Sequence, residues 1–170
     1  MTNSFIPSRR NFLAATAATG AVTVATTARA ASFDDHPDAA PMIRCVRLWA
    51  GDDGDSHFEE GTINLSNGAR GDLLSEVVAA TSLSFQETTS GGSFEWHRDP
   101  VPRFVFTLSG TLEFETRGGE RFTIRPGDVM LAEDNSGSGH RWKLIGDEPR
   151  RRAYVVFPAS ATLPFKAHSL

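Results

Sequence analysis

The chain has 170 residues, of which 17 are basic and 21 are acidic, and its formal net charge is −4 at pH 7. This balance gives no support for a nucleic-acid partner, and no basic amphipathic helix indicates binding to a membrane surface. Cys45 is the single cysteine, so no disulfide can form within the chain.

The N-terminus resembles a twin-arginine export signal. Arg9 and Arg10 follow a serine and precede Phe-Leu, and residues 14–28 are uncharged and only mildly apolar. Small residues at positions 28 and 30 predict cleavage before Ala31, so residues 1–30 are interpreted as a signal peptide. The resemblance implies a bacterial protein that folds before export and ends in the periplasm or outside the cell. The apolar run is short for a stable membrane anchor, although its retention as one stays open.

Residues 31–41 follow as a flexible leader, and the remaining chain has a pattern of short strands and turns with hardly any helical period. This pattern predicts one all-β domain over residues 42–158, a sandwich or barrel, and a tail over 159–170 that is an edge arm or a loose end. Residues 69–80 are a short helix or a loop. The predicted strands cover 43–49, 57–64, 82–87, 93–97, 103–108, 111–116, 120–124, 128–132, 140–145 and 152–157.

Three local patterns sharpen this prediction. Residues 112–124 alternate in polarity on two arms around Gly118-Gly119, which is typical of a hairpin. Cys45 lies on an alternating strand, where a packing role is favoured over a reactive one. The run Arg150-Arg151-Arg152 is interpreted as a solvated strand entry.

Residues 91–140 resemble the cupin superfamily of double-stranded β-helix (jelly-roll) barrels. His97 occupies the position of the His-x-His pair in the first cupin motif, and Gly110 matches the glycine that closes it. Gly127 opens the second motif, and His140 matches its histidine. The resemblance implies a barrel with a small-molecule site in its interior.

A complete cupin site has three histidines and one carboxylate, and it suits a divalent metal such as Fe, Mn, Ni or Zn. This chain keeps His97 and His140, while Asp99 could supply a carboxylate. His57 shares a strand face with Glu59 and is either a further ligand or a structural histidine. Two alternatives therefore stay open: a barrel that binds a metal, and a metal-free barrel whose polar interior is held by hydrogen bonds.

Arg103 stands where the metal-binding glutamate belongs, and a guanidinium cannot ligate a cation. It either binds an anionic substrate, with Trp96 and Phe106 lining the cavity, or forms an internal ion pair with Asp99 or Glu133.

Two functions stay open: a metal-dependent oxygenase, isomerase or decarboxylase, and a non-catalytic cupin that binds a small, anionic ligand without metal. A homodimer through sheet edges is a weaker expectation.

Overall fold

The structure is a computed structural model that describes residues 42–168 of the chain. The predicted signal peptide and leader lie outside the described residues. A short 3-10 helix spans Ala69–Gly71. The strands are β1 (Arg44–Ala50), β2 (Ser56–Ile63), β3 (Ser66–Asn67), β4 (Leu73–Leu74), β5 (Ser82–Thr88), β6 (Ser93–His97), β7 (Arg103–Ser109), β8 (Thr111–Thr116), β9 (Arg121–Ile124), β10 (Val129–Glu133), β11 (His140–Ile145), β12 (Arg150–Val156) and β13 (Phe165–Ala167).

Two sheets dominate the domain. The larger has the strand order β13-β2-β1-β10-β7-β12-β5, and the smaller has the order β6-β11-β8-β9. The strands β1 and β10 pair in parallel, while β7 pairs antiparallel with both β10 and β12. A third, two-stranded sheet pairs β3 with β4. Neighbours in space that are distant in sequence are typical of a jelly roll, so the predicted all-β jelly-roll fold is confirmed.

All ten predicted strands are present, with bounds that differ by at most two residues. The predicted hairpin is formed by β8 and β9, and in its register Phe114 lies opposite Phe122. The segment 69–80 contains the 3-10 helix and then extended chain that includes β4. The tail is an edge arm, since β13 pairs with β2. Among residues 42–168 no helix has the length and apolar character needed to cross a membrane.

Alternation along the strands divides the apolar residues into two layers. One cluster includes Val46, Leu112 and Phe114. The other includes Cys45 and Phe104, and residues near Val78 and in the tail cover it. Cys45 is completely buried in this second layer, which agrees with the packing role predicted for it.

The arginine run on β12 differs from the prediction. Arg150 and Arg152 are buried, with 2% and 7% of their surface exposed. Arg151 is exposed and pairs with Glu87 on β5 at 2.6 Å. Strand alternation sends the first and third arginines to one face and the second to the other, so only Arg151 is solvated.

Candidate functional site

The last residue of β6 and the first residue of β11 bring the two predicted histidines together. His97 and His140 are register partners in the antiparallel pair. Their ring centroids are 4.4 Å apart, and the ring planes are inclined by 56°. Strand pairing thus joins two side chains that are 43 positions apart in sequence.

Both imidazoles use Nδ1 to contact an acceptor. Nδ1 of His140 lies 2.9 Å from Oδ2 of Asp134, and Nδ1 of His97 lies 2.7 Å from the carbonyl oxygen of Glu95. A carboxylate and a carbonyl only accept, so each Nδ1 donates; in a neutral ring Nε2 is then an acceptor. Burial lowers the pKa of His97, which favours its neutral form.

Asp134 and Ser56 orient His140, although the sequence analysis selected neither. The hydroxyl of Ser56 donates to Oδ1 of Asp134 at 2.7 Å, and the backbone N–H of Gly139 donates to the same hydroxyl oxygen at 2.7 Å. Burial would raise the pKa of Asp134, but the hydrogen bonds to His140 and Ser56 outweigh it and hold this pKa below its usual value. The charged carboxylate therefore fixes the ring of His140.

Asp99 and Arg103 form the second part of the site. Nη2 of Arg103 donates to Oδ1 of Asp99. This contact is the internal ion pair that the sequence analysis gave as one alternative for Arg103. The other candidate partner, Glu133, pairs with Arg47 at 2.7 Å. Oδ2 of Asp99 is buried and has no hydrogen-bond partner among residues 42–168, and the same is true of Nε of Arg103.

Two arginines that sequence reasoning missed add positive charge to this region. Arg152 donates from all three of its nitrogens to neutral oxygens of Tyr154, Thr88 and Gln86, at 2.7–2.9 Å. The guanidinium carbon of Arg150 lies 4.6 Å from the ring centroid of Trp142. Burial and the neighbouring Arg152 lower the pKa of Arg150 to about 9, so it is charged at neutral pH.

A cavity of about 410 Å³ opens beside these groups. This volume suits a small organic molecule. Its walls combine aromatic rings with cationic and neutral polar groups. They include Phe94, Trp142, Tyr154, His97, Arg103 and Arg152.

Two residues predicted to bind substrate lie elsewhere. Trp96 packs between Arg117 and Arg141, whose guanidinium carbons are 4.6 and 4.8 Å from its ring. Phe106 lies with Phe104 on the opposite side of the larger sheet, beside an apolar groove of about 340 Å³. Neither ring is among those that line the 410 Å³ cavity.

His57 is also separate from the two paired histidines. Its Nε2 lies 2.9 Å from a carboxylate oxygen of Asp53, and its ring is 5.7 Å from that of Trp49. The hydrogen bond to Asp53 raises the pKa of His57 and favours the protonated ring, which cannot bind a metal. On β2 it is the preceding residue, Ser56, that reaches the Asp134–His140 pair.

The donor set fits a divalent metal only in part. His97 and His140 have the free Nε2 atoms and the oriented rings of metal ligands. Asp99, however, is bonded to a guanidinium, and among the described residues no three His, Cys, Asp or Glu side chains are grouped so as to hold an ion. A cation there would also face the buried charges of Arg103, Arg150 and Arg152. As arranged, these residues do not complete a metal centre.

Comparison with known families places these observations in context. Residues 84–157 match the family model described as Cupin domain. The match supports the cupin superfamily. The matched range contains β6 and β11, and with them both paired histidines. No curated protein matches the chain.

Two solved structures are similar in part. One is a DUF861 family protein from Thermotoga maritima, with 26% identity and a TM-score of 0.37 over 44% of this chain and 77% of that chain. The other is a provisionally assigned ethanolamine utilization protein Q from Salmonella typhimurium, with 20% identity and a TM-score of 0.37 over 71% of this chain and 100% of that chain.

Proposed function

We propose that this cupin domain binds a small organic anion in its interior cavity through side chains alone, after export from the bacterial cytoplasm. One observation carries the proposal. Nε of Arg103, which lines the cavity, and Oδ2 of Asp99, to which Arg103 is bonded, are buried without any partner among residues 42–168. Buried polar atoms normally have partners, so a bound ligand is the natural source of the missing hydrogen bonds.

The chemistry of the unpaired groups defines the ligand. Arg103 is always charged, and its remaining N–H donors suit a carboxylate. Oδ2 of Asp99 accepts, as does Nε2 of His97 in its neutral form, and both call for a hydroxyl or amine hydrogen on the ligand. Phe94, Trp142 and Tyr154 provide apolar walls. A short hydroxycarboxylic acid meets all of these requirements.

A metal-dependent enzyme is the competing function, and one observation favours it. Nδ1 of His97 and of His140 each contacts an acceptor, as in many metal-binding histidines. If an ion bound, His97 and His140 would hold it, and it would act as a Lewis acid toward a bound carbonyl or carboxylate. The third ligand would then have to come from Asp99 after it leaves Arg103, or from the substrate.

The test uses protein exported by its own signal and purified without a histidine tag. Calorimetric titration with lactate and with propionate, at low ionic strength, measures the predicted binding. We expect lactate to bind more tightly than propionate, because only lactate supplies a hydroxyl to Asp99 and the histidines. Arg103→Met is expected to lose lactate binding, and Arg103→Lys to restore it in part. The matched control is Arg121→Met, since Arg121 is an exposed residue of β9.

Elemental analysis of the same preparation separates the two functions. Stoichiometric metal that disappears in both His97→Ala and His140→Ala would favour the enzyme. Lactate binding that is unchanged in Arg103→Met would contradict the proposed site.

A further inference from the structure

The buried arginines of β12 are an unexplained feature of the cavity region. Arg150 and Arg152 point to the same side of their strand, and both are more than nine-tenths buried. Arg152 lines the cavity, and Arg150 contacts Trp142, whose ring lines the same cavity.

The charges of this region do not balance. Three guanidinium groups, those of Arg103, Arg150 and Arg152, are buried or partly buried there. Asp99 is the one carboxylate bonded to any of them among residues 42–168, and it is bonded to Arg103. The donors of Arg152 contact neutral oxygens, and Nε of Arg150 has no partner among the described residues. Asp134 is the other buried carboxylate, and it is committed to His140 and Ser56.

Burial of an uncompensated charge is strongly unfavourable, and proteins normally pair such groups. Two positive charges are left over in one region of this domain. Arg150 also lies over the rings of Trp142 and Phe114, at 4.6 and 5.8 Å, a position that holds the guanidinium without neutralising it. A ligand with two negative charges would balance the region, whereas a monocarboxylate would leave one positive charge.

We propose that the ligand carries a second carboxylate that binds at Arg150 and Arg152, so that the site selects short dicarboxylates over monocarboxylates. This inference rests on the proposed function, in which Arg103 receives the first carboxylate. The guanidinium carbons of Arg103 and Arg152 lie 4.2 and 5.3 Å from the centroid of the same ring, that of Tyr154, so the two carboxylates must be close together on a short ligand.

The experiment compares acids of equal carbon number by calorimetric titration of the exported protein. Malonate, succinate and glutarate are paired with propionate, butyrate and valerate, and inorganic phosphate serves as a single group with two charges. We expect the best diacid to bind about tenfold or more tightly than its monoacid, since a charge-assisted hydrogen bond has at least this effect. The preferred diacid length then reports the spacing between the two cationic ends.

Variants assign the second carboxylate to its partner. Arg150→Met is expected to reduce diacid affinity much more than monoacid affinity, so that the ratio of the two affinities falls towards one. Arg150→Lys retains the charge and is expected to keep part of the preference for diacids. Arg151→Met is the matched control, because it removes the adjacent arginine that faces away from the cavity and pairs with Glu87. Melting temperatures of all variants show whether each has folded.

The outcomes separate this inference from the function on which it rests. Equal binding of diacids and monoacids in the unmodified protein overturns the inference and leaves the anion site in place. Tighter binding of phosphate than of every diacid also overturns it, in favour of one dianionic group. If none of these acids binds, the proposed function itself is contradicted. If Arg150→Met fails to fold, Arg150→Lys decides the assignment. A reduced preference for diacids supports Arg150 as the partner, and an unchanged preference contradicts it.

Discussion

Oδ2 of Asp99 lies 4.0 Å from Nε2 of His140. This separation is too long for a direct hydrogen bond, which requires about 2.7–3.2 Å. It is short enough for one oxygen or nitrogen atom of a ligand to contact both Oδ2 of Asp99 and Nε2 of His140. A carboxylate oxygen only accepts, so a ligand hydroxyl or amine is a suitable donor to Oδ2 of Asp99 at this point of the site.

The excess of arginines around Asp99 predicts an asymmetry between the two members of its ion pair. Asp99→Asn leaves three guanidinium groups without a negative partner, and we expect it to lower the free energy of unfolding by about 3 kcal/mol. Arg103→Met leaves Asp99 within the attraction of Arg150, and should cost less than Asp99→Asn because the remaining guanidinium groups still balance its charge. Denaturant unfolding at pH 7 measures both values. Equal losses in the two variants would contradict the charge excess.

The contact between Asp134 and His140 predicts a dependence of stability on pH. The pKa of Asp134 is lowered in the folded protein, so its contribution is complete above the unfolded value and is lost as the pH falls through the folded pKa. We expect Asp134→Asn to cost about 2 kcal/mol at pH 7, because a buried hydrogen-bonded charge is replaced. The difference from the unmodified protein should begin to shrink below about pH 4, where the carboxylate of the unfolded chain is protonated, and should go on shrinking until the native carboxylate is protonated as well.

Unfolding curves between pH 7 and pH 3 provide the measurement, with Asp147→Asn as the control at an exposed turn position. A difference between Asp134→Asn and the unmodified protein that stays constant across this range would argue against the lowered pKa.

Burial predicts that Cys45 is chemically inert in the folded protein. It raises the pKa of the Cys45 thiol to about 12, so the reactive thiolate is essentially absent at pH 8. Iodoacetamide should therefore leave the native protein unmodified and alkylate it once in denaturant, as mass spectrometry can show. Rapid alkylation without unfolding would indicate that this layer opens readily.

The sequence predicted the framework of the fold better than the site. The β8–β9 hairpin was predictable because its alternation and its glycines are local signals. The pair of His97 and His140 was predictable only through the resemblance to cupins. Ser56 and Asp134 were not predicted, since they are 78 positions apart and meet through strand register, which no local pattern reveals. Arg150 and Arg152 were misjudged because three consecutive charges are usually solvated, and only the face of β12 that contacts the interior decides otherwise.

The N-terminal pattern predicts how the protein leaves the cytoplasm. Changing both Arg9 and Arg10 to lysine should leave a folded, uncleaved precursor inside the cell, because the paired arginines carry the resemblance to a twin-arginine signal. Fractionation and immunoblotting measure this, and N-terminal sequencing of the exported protein should begin at Ala31 or within a few residues. Normal export of the double variant would refute the interpretation.

The backbone at Gly139 predicts that the site requires a glycine at this position. Its φ of +92° is unfavourable for other residues, and a Cβ there would lie 2.7 Å from the carbonyl oxygen of His97. Gly119 has a similar φ of +85° but no atom within 4 Å of the corresponding position. Gly119→Ala should therefore cost only the conformational penalty of about 1–2 kcal/mol. Gly139→Ala adds a backbone clash and should cost about 3 kcal/mol or more.

Because the clash at Gly139 also pushes β6 away from β11, the separation of the His97 and His140 rings should increase. Lactate binding should therefore weaken in Gly139→Ala but not in Gly119→Ala. Similar unfolding free energies and similar lactate affinities in the two variants would show that the contact between Gly139 and His97 does not hold the site together.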